Sequence, residues 1–156
     1  YGGWGGRFAK SQKKWKSSQG QGDISSLSHW IIAFQNDFAA RADWCVRSYQ
    51  QANHPPEAAS YEPVNIEARP GQTIPLSVSR INDPDGDTLK YHWWHYPEAT
   101  TYKGHIELHH VNQQECELKI PRGEGFHGII HMICGITDNG NPPLTRYQRM
   151  IINIKP

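Results

Sequence analysis

Three aspartates alternate within one short segment, Asp83-Pro84-Asp85-Gly86-Asp87. Carboxylates at this spacing can gather oxygen ligands around a hard cation such as calcium. An EF-hand is excluded, because the twelfth loop position must hold a bidentate glutamate and here holds Trp94. The same residues also suit a tight turn without any ion, since proline fixes one φ angle and Asp and Gly tolerate the others. We favour the turn alone over a calcium-stabilised turn. Asp138 would join the calcium ligands if its loop lies at the same end of the domain.

Residues 88–96 carry aromatic rings on both sides of a predicted strand. Alternation places Leu89, Tyr91 and Trp93 on the more apolar side, which should face a core. Trp94 and Tyr96 then lie on the outer side, together with other polar residues. Exposed aromatic rings in a row can stack on the apolar faces of pyranose rings, or they can pack against the preceding helical segment or another domain. We favour domain packing for these two rings, and both interpretations stay open.

The remaining chemical patterns argue against catalysis by this chain. The nine histidines form no compact ligand set: His92 and His95 fall on opposite faces of a strand, and His127 and His131 would lie ~13 Å apart on one. There is neither an HExxH nor a GxSxG motif. No pair of carboxylates is singled out as a glycosidase pair. We therefore predict no catalytic residue.

Short strands separated by turn residues must position these groups. The predicted strands are 64–68, 73–79, 88–96, 105–110, 116–120, 128–137 and 145–155. Seven strands with turn signals roughly every 8–12 residues, and no helical crossover between them, are typical of an antiparallel sandwich. The sequence thus predicts a mainly β, immunoglobulin-like or cadherin-like sandwich of about seven strands, preceded by a helical segment. Trp93 would be its central core aromatic.

The first 60 residues differ from the rest. Residues 1–6 are too glycine-rich for a regular element, and residues 7–16 carry cations without an acid. A helix is predicted from about residue 28, with one buried apolar face formed by Trp30, Ile31, Phe34, Phe38, Ala42 and Cys45. It is either one helix or two, the second capped by Asp37. Asn53-His54-Pro55-Pro56 should end it, and 56–63 should be a linker. The predicted domains are therefore 1–60 and 61–156.

The composition limits the kinds of partner that the chain is expected to bind. Sixteen Lys and Arg against 15 Asp and Glu give a formal charge of +1 over 156 residues. No overall field therefore selects nucleic acid or an anionic membrane, and no apolar run approaches the ~20 residues that span a bilayer. The start at Tyr1, without Met or a hydrophobic leader, indicates a removed signal peptide or an excised fragment. Among the three cysteines, a Cys116–Cys134 disulfide is the less favoured alternative to free buried thiols.

Several phrases resemble one family. The phrases GGWGGR at 2–7, NDFAARADWC at 36–45 and ANHPP at 52–56 resemble the closing stretch of a nucleoside-hydrolase-like domain. The phrases DPDGD at 83–87, WWHYPEA at 93–99 and TDNGNPPLTR at 137–146 resemble the immunoglobulin-like C-terminal domain that follows it. The chain is similar, over nearly its whole length, to the C-terminal part of bacterial cellulose-binding proteins with this organisation.

The resemblance implies a secreted or periplasmic protein attached to an N-terminal hydrolase-like domain, with polysaccharide as its ligand. The aspartate cluster that holds calcium in nucleoside hydrolases has no match in these residues, so no catalytic residue carries over. The carbohydrate-binding candidates are Trp94, Tyr96, Trp4 and Arg7. Trp4 and Arg7, with Asp37, Arg41 and His54, could also line a cleft of the parent domain. We expect a non-catalytic carbohydrate-binding module; the alternative is a structural domain that docks on, and completes, a hydrolase-like catalytic domain.

Overall fold

The structure, a computed structural model, describes residues 8–11, 14–17, 30–58, 64–78, 80–122 and 127–155. The chain forms two compact units, Tyr1–Ala52 and Asn53–Pro156. The predicted assignment of residues 1–60 to a hydrolase-like domain stays a prediction. Over the described residues, no helix is both long and apolar enough to cross a membrane.

The first unit contains a hairpin, an α-helix and a short 3₁₀ helix. Strands β1 (Phe8–Ser11) and β2 (Lys14–Ser17) pair antiparallel. Helix α1 spans Ile31–Trp44, and the 3₁₀ helix spans Tyr49–Gln51. The hairpin was not predicted from the sequence, because its cation-rich residues show no apolar alternation.

Helix α1 decides between the two alternatives for this segment and corrects two expectations, the buried apolar face and the helix end. It is one continuous helix, and Asp37 lies inside it, where its carboxylate accepts from Arg41 Nε at 2.7 Å as an i,i+4 pair. The predicted apolar face is not buried: Phe38 is 70% exposed and Phe34 is also exposed, whereas Ala40 is the buried residue of the helix. The helix also ends at Trp44, well before the proline pair that was expected to stop it.

The described residues of the second unit form nine strands. Seven match the predicted ones: β4 (Val64–Ala68), β5 (Thr73–Ser77), β7 (Lys90–His95), β8 (Glu107–His109), β9 (Glu115–Lys119), β10 (Gly128–Thr137) and β11 (Thr145–Ile154). Two short additional strands, β3 (Glu57–Ala58) and β6 (Ile81–Asn82), pair with each other. β3 lies in the segment that was predicted to be a linker.

The strands form a four-stranded sheet in the order β4-β11-β10-β7 and a three-stranded sheet in the order β5-β9-β8. Pro75 is tolerated because β5 is an edge strand. The mainly β sandwich is confirmed, but the expectation of purely antiparallel sheets is wrong for one pair. β11 pairs with β4 in parallel, with Ile152 opposite Ile66. A parallel pair requires a long connection between its strands, and here the chain from β4 to β11 provides it.

The core lies between the inward faces of the two sheets. Trp93 is 1% exposed and its indole N–H donates to the Gln113 carbonyl at 2.9 Å, which confirms it as the core aromatic. Cys116 on β9 and Cys134 on β10 are both buried and free. Burial raises the pKa of Cys116 to about 11 and that of Cys134 to about 12, so both behave as small apolar groups.

Candidate functional site

The outer face of the four-stranded sheet carries the first candidate site. In the strand register, His92 and Tyr147 flank Gly135, and Trp94 and Arg149 flank Ile133 in the next row. Directly paired residues point to the same side of a sheet. The register therefore gathers two aromatic rings, one imidazole and one guanidinium on three adjacent strands. We call these four residues, His92, Trp94, Tyr147 and Arg149, the aromatic face.

The rings of the aromatic face contact one another. Trp94 stacks on His92, with centroids 5.8 Å apart and planes inclined by 23°. Tyr147 meets Trp94 edge to face, with centroids 6.1 Å apart and planes at 88°. Gly135 makes this approach possible, because a Cβ there would lie 3.2 Å from Trp94 Cζ3 and 3.5 Å from Tyr147 Cε1. Trp94 is half-buried, so its position is defined by neighbours on three strands.

Arg149 extends the same surface. Its Nε and Nη2 atoms lie 3.0 and 2.7 Å from His131 Nδ1. A guanidinium can only donate, so His131 Nδ1 must accept and is unprotonated in this arrangement. These contacts hold the exposed Arg149 side chain in the row that contains Trp94, on the other side of Ile133.

Among the residues predicted from sequence, Trp94 lies on the face of β7 opposite that of Trp93, where alternation placed it. Tyr96 follows the end of β7 and its backbone N–H donates to the His131 carbonyl at 2.8 Å. Trp4 and Arg7 lie outside the described residues, and so their proposed roles stay predictions. Tyr147, Arg149 and Gly135 were missed, although the alternation of 145–155 could have placed Tyr147 and Arg149 outward.

The second candidate site lies at the end of the sandwich where the 83–87 turn precedes β7. Asp83 organises this turn: its Oδ1 accepts the backbone N–H groups of Asp85 at 3.0 Å and Asp87 at 3.1 Å. Gly86 has φ +79°, a conformation that glycine adopts without strain. One oxygen from each of the three carboxylates lies within 4.8 Å of the others. The turn therefore presents three carboxylates around one point.

The β10–β11 loop adjoins this turn, as the prediction for Asp138 required. The Thr88 N–H donates to Asn139 Oδ1 at 2.6 Å. Asp138 is 2% exposed, and its Oδ1 accepts from Gly140 N at 3.0 Å, Leu144 N at 2.9 Å and Asn53 Nδ2 at 3.1 Å. The fourth carboxylate is thus fixed at the same end of the sandwich.

His54 contacts this cluster through both its backbone and its imidazole ring. Its backbone N–H donates to Asp85 Oδ2 at 2.6 Å, and its Nδ1 lies 3.1 Å from Asp85 Oδ1. The pKa of Asp87 is raised by burial, and further by the charges of Asp83, Asp138 and Asp85. His54 was expected at the end of the helix, and it contacts an acidic turn instead. Its partner lies 31 residues away, so no local pattern could have revealed the contact.

The comparisons with known proteins agree with this architecture. The family described as cellulose-binding protein Sde0182, C-terminal domain, matches residues 73–154. A nucleoside hydrolase-related hypothetical protein from Saccharophagus degradans, associated with carbohydrate metabolism, is 33% identical, with a TM-score of 0.81. The match covers 99% of this chain and 42% of that protein, so the chain spans about two fifths of its relative's length.

More distant structural neighbours include a PKD domain, 14% identical with a TM-score of 0.39, which covers 62% of this chain and 85% of that one. A mouse clustered protocadherin fragment is 17% identical with a TM-score of 0.39, covering 65% of this chain and 33% of that one. Among curated proteins, none matches the chain. With a family match over more than half of its residues, the chain belongs to the family of cellulose-binding protein Sde0182 C-terminal domains.

Proposed function

We propose that this chain is the non-catalytic, carbohydrate-binding portion of a larger, exported, hydrolase-like protein, and that the aromatic face binds a β-glucan such as cellulose. The observation that carries this proposal is the packing of Trp94 against His92 and Tyr147 over Gly135. The family's description as a cellulose-binding protein, and the association of the Saccharophagus degradans relative with carbohydrate metabolism, support it.

The arrangement suits a flat sugar chain. A β-linked glucan has apolar C–H faces that pack on indole and phenol rings, and its hydroxyl groups lie at the ring edges. Arg149 stands beside the rings with N–H groups that can donate to those hydroxyls. The Nδ1 of His92 already bonds Asn112 Oδ1 at 3.0 Å, which fixes the orientation of the imidazole beside Trp94. Trp94, held by its neighbours, loses little side-chain freedom on binding, which lowers the entropic cost of association.

The test is binding of the full chain to insoluble cellulose by pull-down, and to soluble β-glucans by titration calorimetry. Trp94→Ala should weaken binding about 5- to 150-fold, since base stacking on one aromatic side chain contributes about 1–3 kcal/mol and glucan stacking is comparable. His109→Ala, which removes an exposed ring on β8 of the three-stranded sheet, is the control and should bind as the parent chain does. Equal affinity of the Trp94→Ala variant and the parent chain would contradict the proposal.

Tyr96, Trp4 and Arg7 belong to the proposal as secondary contacts. Tyr96 follows directly on β7 and could extend the stacking surface by one ring. Trp4 and Arg7 enter through the family resemblance. Single alanine variants of the three should lower the affinity by less than Trp94→Ala does. Calorimetry with the same glucan ranks the affinities of the four variants.

A second candidate function is docking on the hydrolase-like portion of the parent protein. The specific observation is the exposed apolar surface of the first unit: Phe38 is 70% and Val46 is 82% exposed. Large exposed apolar patches usually mark a contact. The chain also spans 42% of the Saccharophagus degradans relative, so that protein has residues that could cover this surface.

Co-expression with the remaining portion of the parent protein tests docking. The two pieces should co-purify, and Phe38→Asp should abolish the association without affecting glucan binding. Lys155→Asp, which places the same carboxylate on the second unit, is the control and should leave the association intact. Failure of the pieces to co-purify, with both folded, would contradict docking.

A further inference from the structure

The acidic end of the sandwich contains two buried oxygen atoms that the fold leaves unsatisfied. Asp83 is 7% and Asp138 is 2% exposed. In each, Oδ1 accepts at least two hydrogen bonds, whereas Oδ2 is buried and has no hydrogen-bond partner among the described residues. Unpaired buried carboxylate oxygens are costly, because burial removes their hydration and nothing replaces it. Such atoms in a native fold indicate a missing partner.

The charges around these two oxygens favour a positive partner. Asp83 and Asp138 come from different segments of the chain, and Asp85 and Asp87 add two more carboxylates beside them. Within the described part of the chain, the one basic side chain within ion-pair distance of these four aspartates is His54, which contacts Asp85. Four carboxylates with one histidine leave a net negative charge, and like charges at this separation disfavour the folded state. A bound cation would reverse the sign of that interaction.

The donor atoms and their spread suit calcium. One oxygen each from Asp83, Asp85 and Asp87 lies within 4.8 Å of the others, and two ligands on opposite sides of a calcium ion are about 4.8 Å apart, since Ca–O distances are about 2.4 Å. Calcium accepts irregular oxygen arrangements, whereas magnesium requires near-ideal octahedral geometry. The ligands are also all oxygens, which a hard cation prefers over nitrogen or sulfur. His54 contacts Asp85 without consuming all the lone pairs of that carboxylate.

We propose that Asp83, Asp85, Asp87 and Asp138 form a calcium site, with the unsatisfied oxygens of Asp83 and Asp138 as its buried ligands. Water and backbone carbonyls would complete the six to eight oxygens that calcium takes. The ion holds together the 83–87 turn, the β10–β11 loop and, through Asn53 and His54, the segment that leads into the sandwich. Its role is structural, and it is separate from the aromatic face.

The experiment measures the thermal midpoint of the full chain, and its heat of binding, with CaCl₂, with MgCl₂ and with EDTA. Calcium should raise the midpoint by several degrees over EDTA, and calcium should bind more tightly than magnesium. Asp87→Asn should weaken calcium binding at least tenfold. Glu117→Gln, which removes an exposed carboxylate on β9, is the matched control and should bind as the parent chain does.

Asp138→Asn is the more informative variant, because it should raise the thermal midpoint without calcium and lower it with calcium. Without calcium, the substitution removes a buried, unpaired charge and keeps an oxygen to accept the existing hydrogen bonds, so the midpoint should rise. With saturating calcium, it removes a ligand, and the midpoint should fall below that of the parent chain. If this variant does not fold, the calcium affinity of Asp87→Asn still tests the proposal. The proposal is overturned by midpoints that are equal in calcium and EDTA, by magnesium binding as tightly as calcium, or by an Asp138→Asn effect that calcium leaves unchanged.

Discussion

Asn53 Nδ2 donates to Asp138 Oδ1 at 3.1 Å, although 85 residues separate the two in sequence. The same amide donates to the Pro142 carbonyl at 2.8 Å. A buried side chain at the first position of the sandwich unit therefore holds both ends of the β10–β11 loop. Gly140 lies against this carboxamide so closely that a Cβ at position 140 would overlap it.

Asn53→Ala should destabilise the chain by about 1–3 kcal/mol, because it removes two hydrogen bonds and leaves the Pro142 carbonyl without this donor. Urea unfolding monitored by tryptophan fluorescence measures the change. Gln113→Ala, at an exposed turn position, is the control and should lie within about 0.5 kcal/mol of the parent chain. A change at Asn53 as small as that of the control would show that the contact does not hold the loop.

Gly135→Val should disturb the aromatic face while the core is retained. The new side chain would meet Trp94 and Tyr147 on the outer surface, where a Cβ alone already lies 3.2 Å from Trp94. We expect glucan affinity to fall several-fold and the near-ultraviolet circular dichroism to change. Ile129→Val, three rows further along the same face of β10, should change neither. Unaltered affinity in Gly135→Val would indicate that sugar binds elsewhere.

The three thiols should differ in reactivity. Cys45 is exposed, whereas Cys116 and Cys134 are buried with pKa values raised by burial to about 11 and about 12. Thiolates are the reactive form, so a disulfide reagent at pH 8 should modify one thiol rapidly in the native chain and three in denaturant. In Cys45→Ser the rapid phase should disappear. Rapid modification of two or three native thiols would contradict the burial.

The same two thiols predict loss of stability at alkaline pH. Between about pH 9 and the raised folded-state values, the unfolded chain releases thiol protons that the folded chain retains. The folded state then binds more protons, so the free energy of unfolding falls as pH rises. The loss from pH 9 to 10 should be about 1 kcal/mol per thiol. Urea titrations at both pH values measure it, and a Cys116→Ala/Cys134→Ala variant should show a correspondingly shallower dependence.

Much of the sandwich could be predicted from the sequence because its signals are local. Alternation and turn residues identified seven strands, and two of them, 64–68 and 128–137, have the predicted bounds. Alternation also separated Trp93 in the core from Trp94 on the surface. The two-residue strands β3 and β6 are too short to show any period, and the parallel partner of β11 depends on pairing between distant segments.

The candidate sites were less predictable because they depend on contacts between distant segments. The acidic turn was visible as a motif, but the roles of Asn53 and His54 depend on partners 85 and 31 residues away. The helix pattern correctly indicated a helix but not what covers it. Periodicity identifies an apolar face, and it cannot distinguish a face buried within the same chain from one that is exposed, as Phe38 is.

The position of β11 between β4 and β10 has a consequence for synthesis. Met150 pairs with Val64 on one side and Met132 on the other, so β11, which is synthesised after the other described strands, is an interior strand of its sheet. Until it emerges, β4 has no partner and β10 exposes a row of backbone donors and acceptors, which is a template for pairing with another chain. Nascent chains of this protein should therefore depend on chaperones until the final strand inserts.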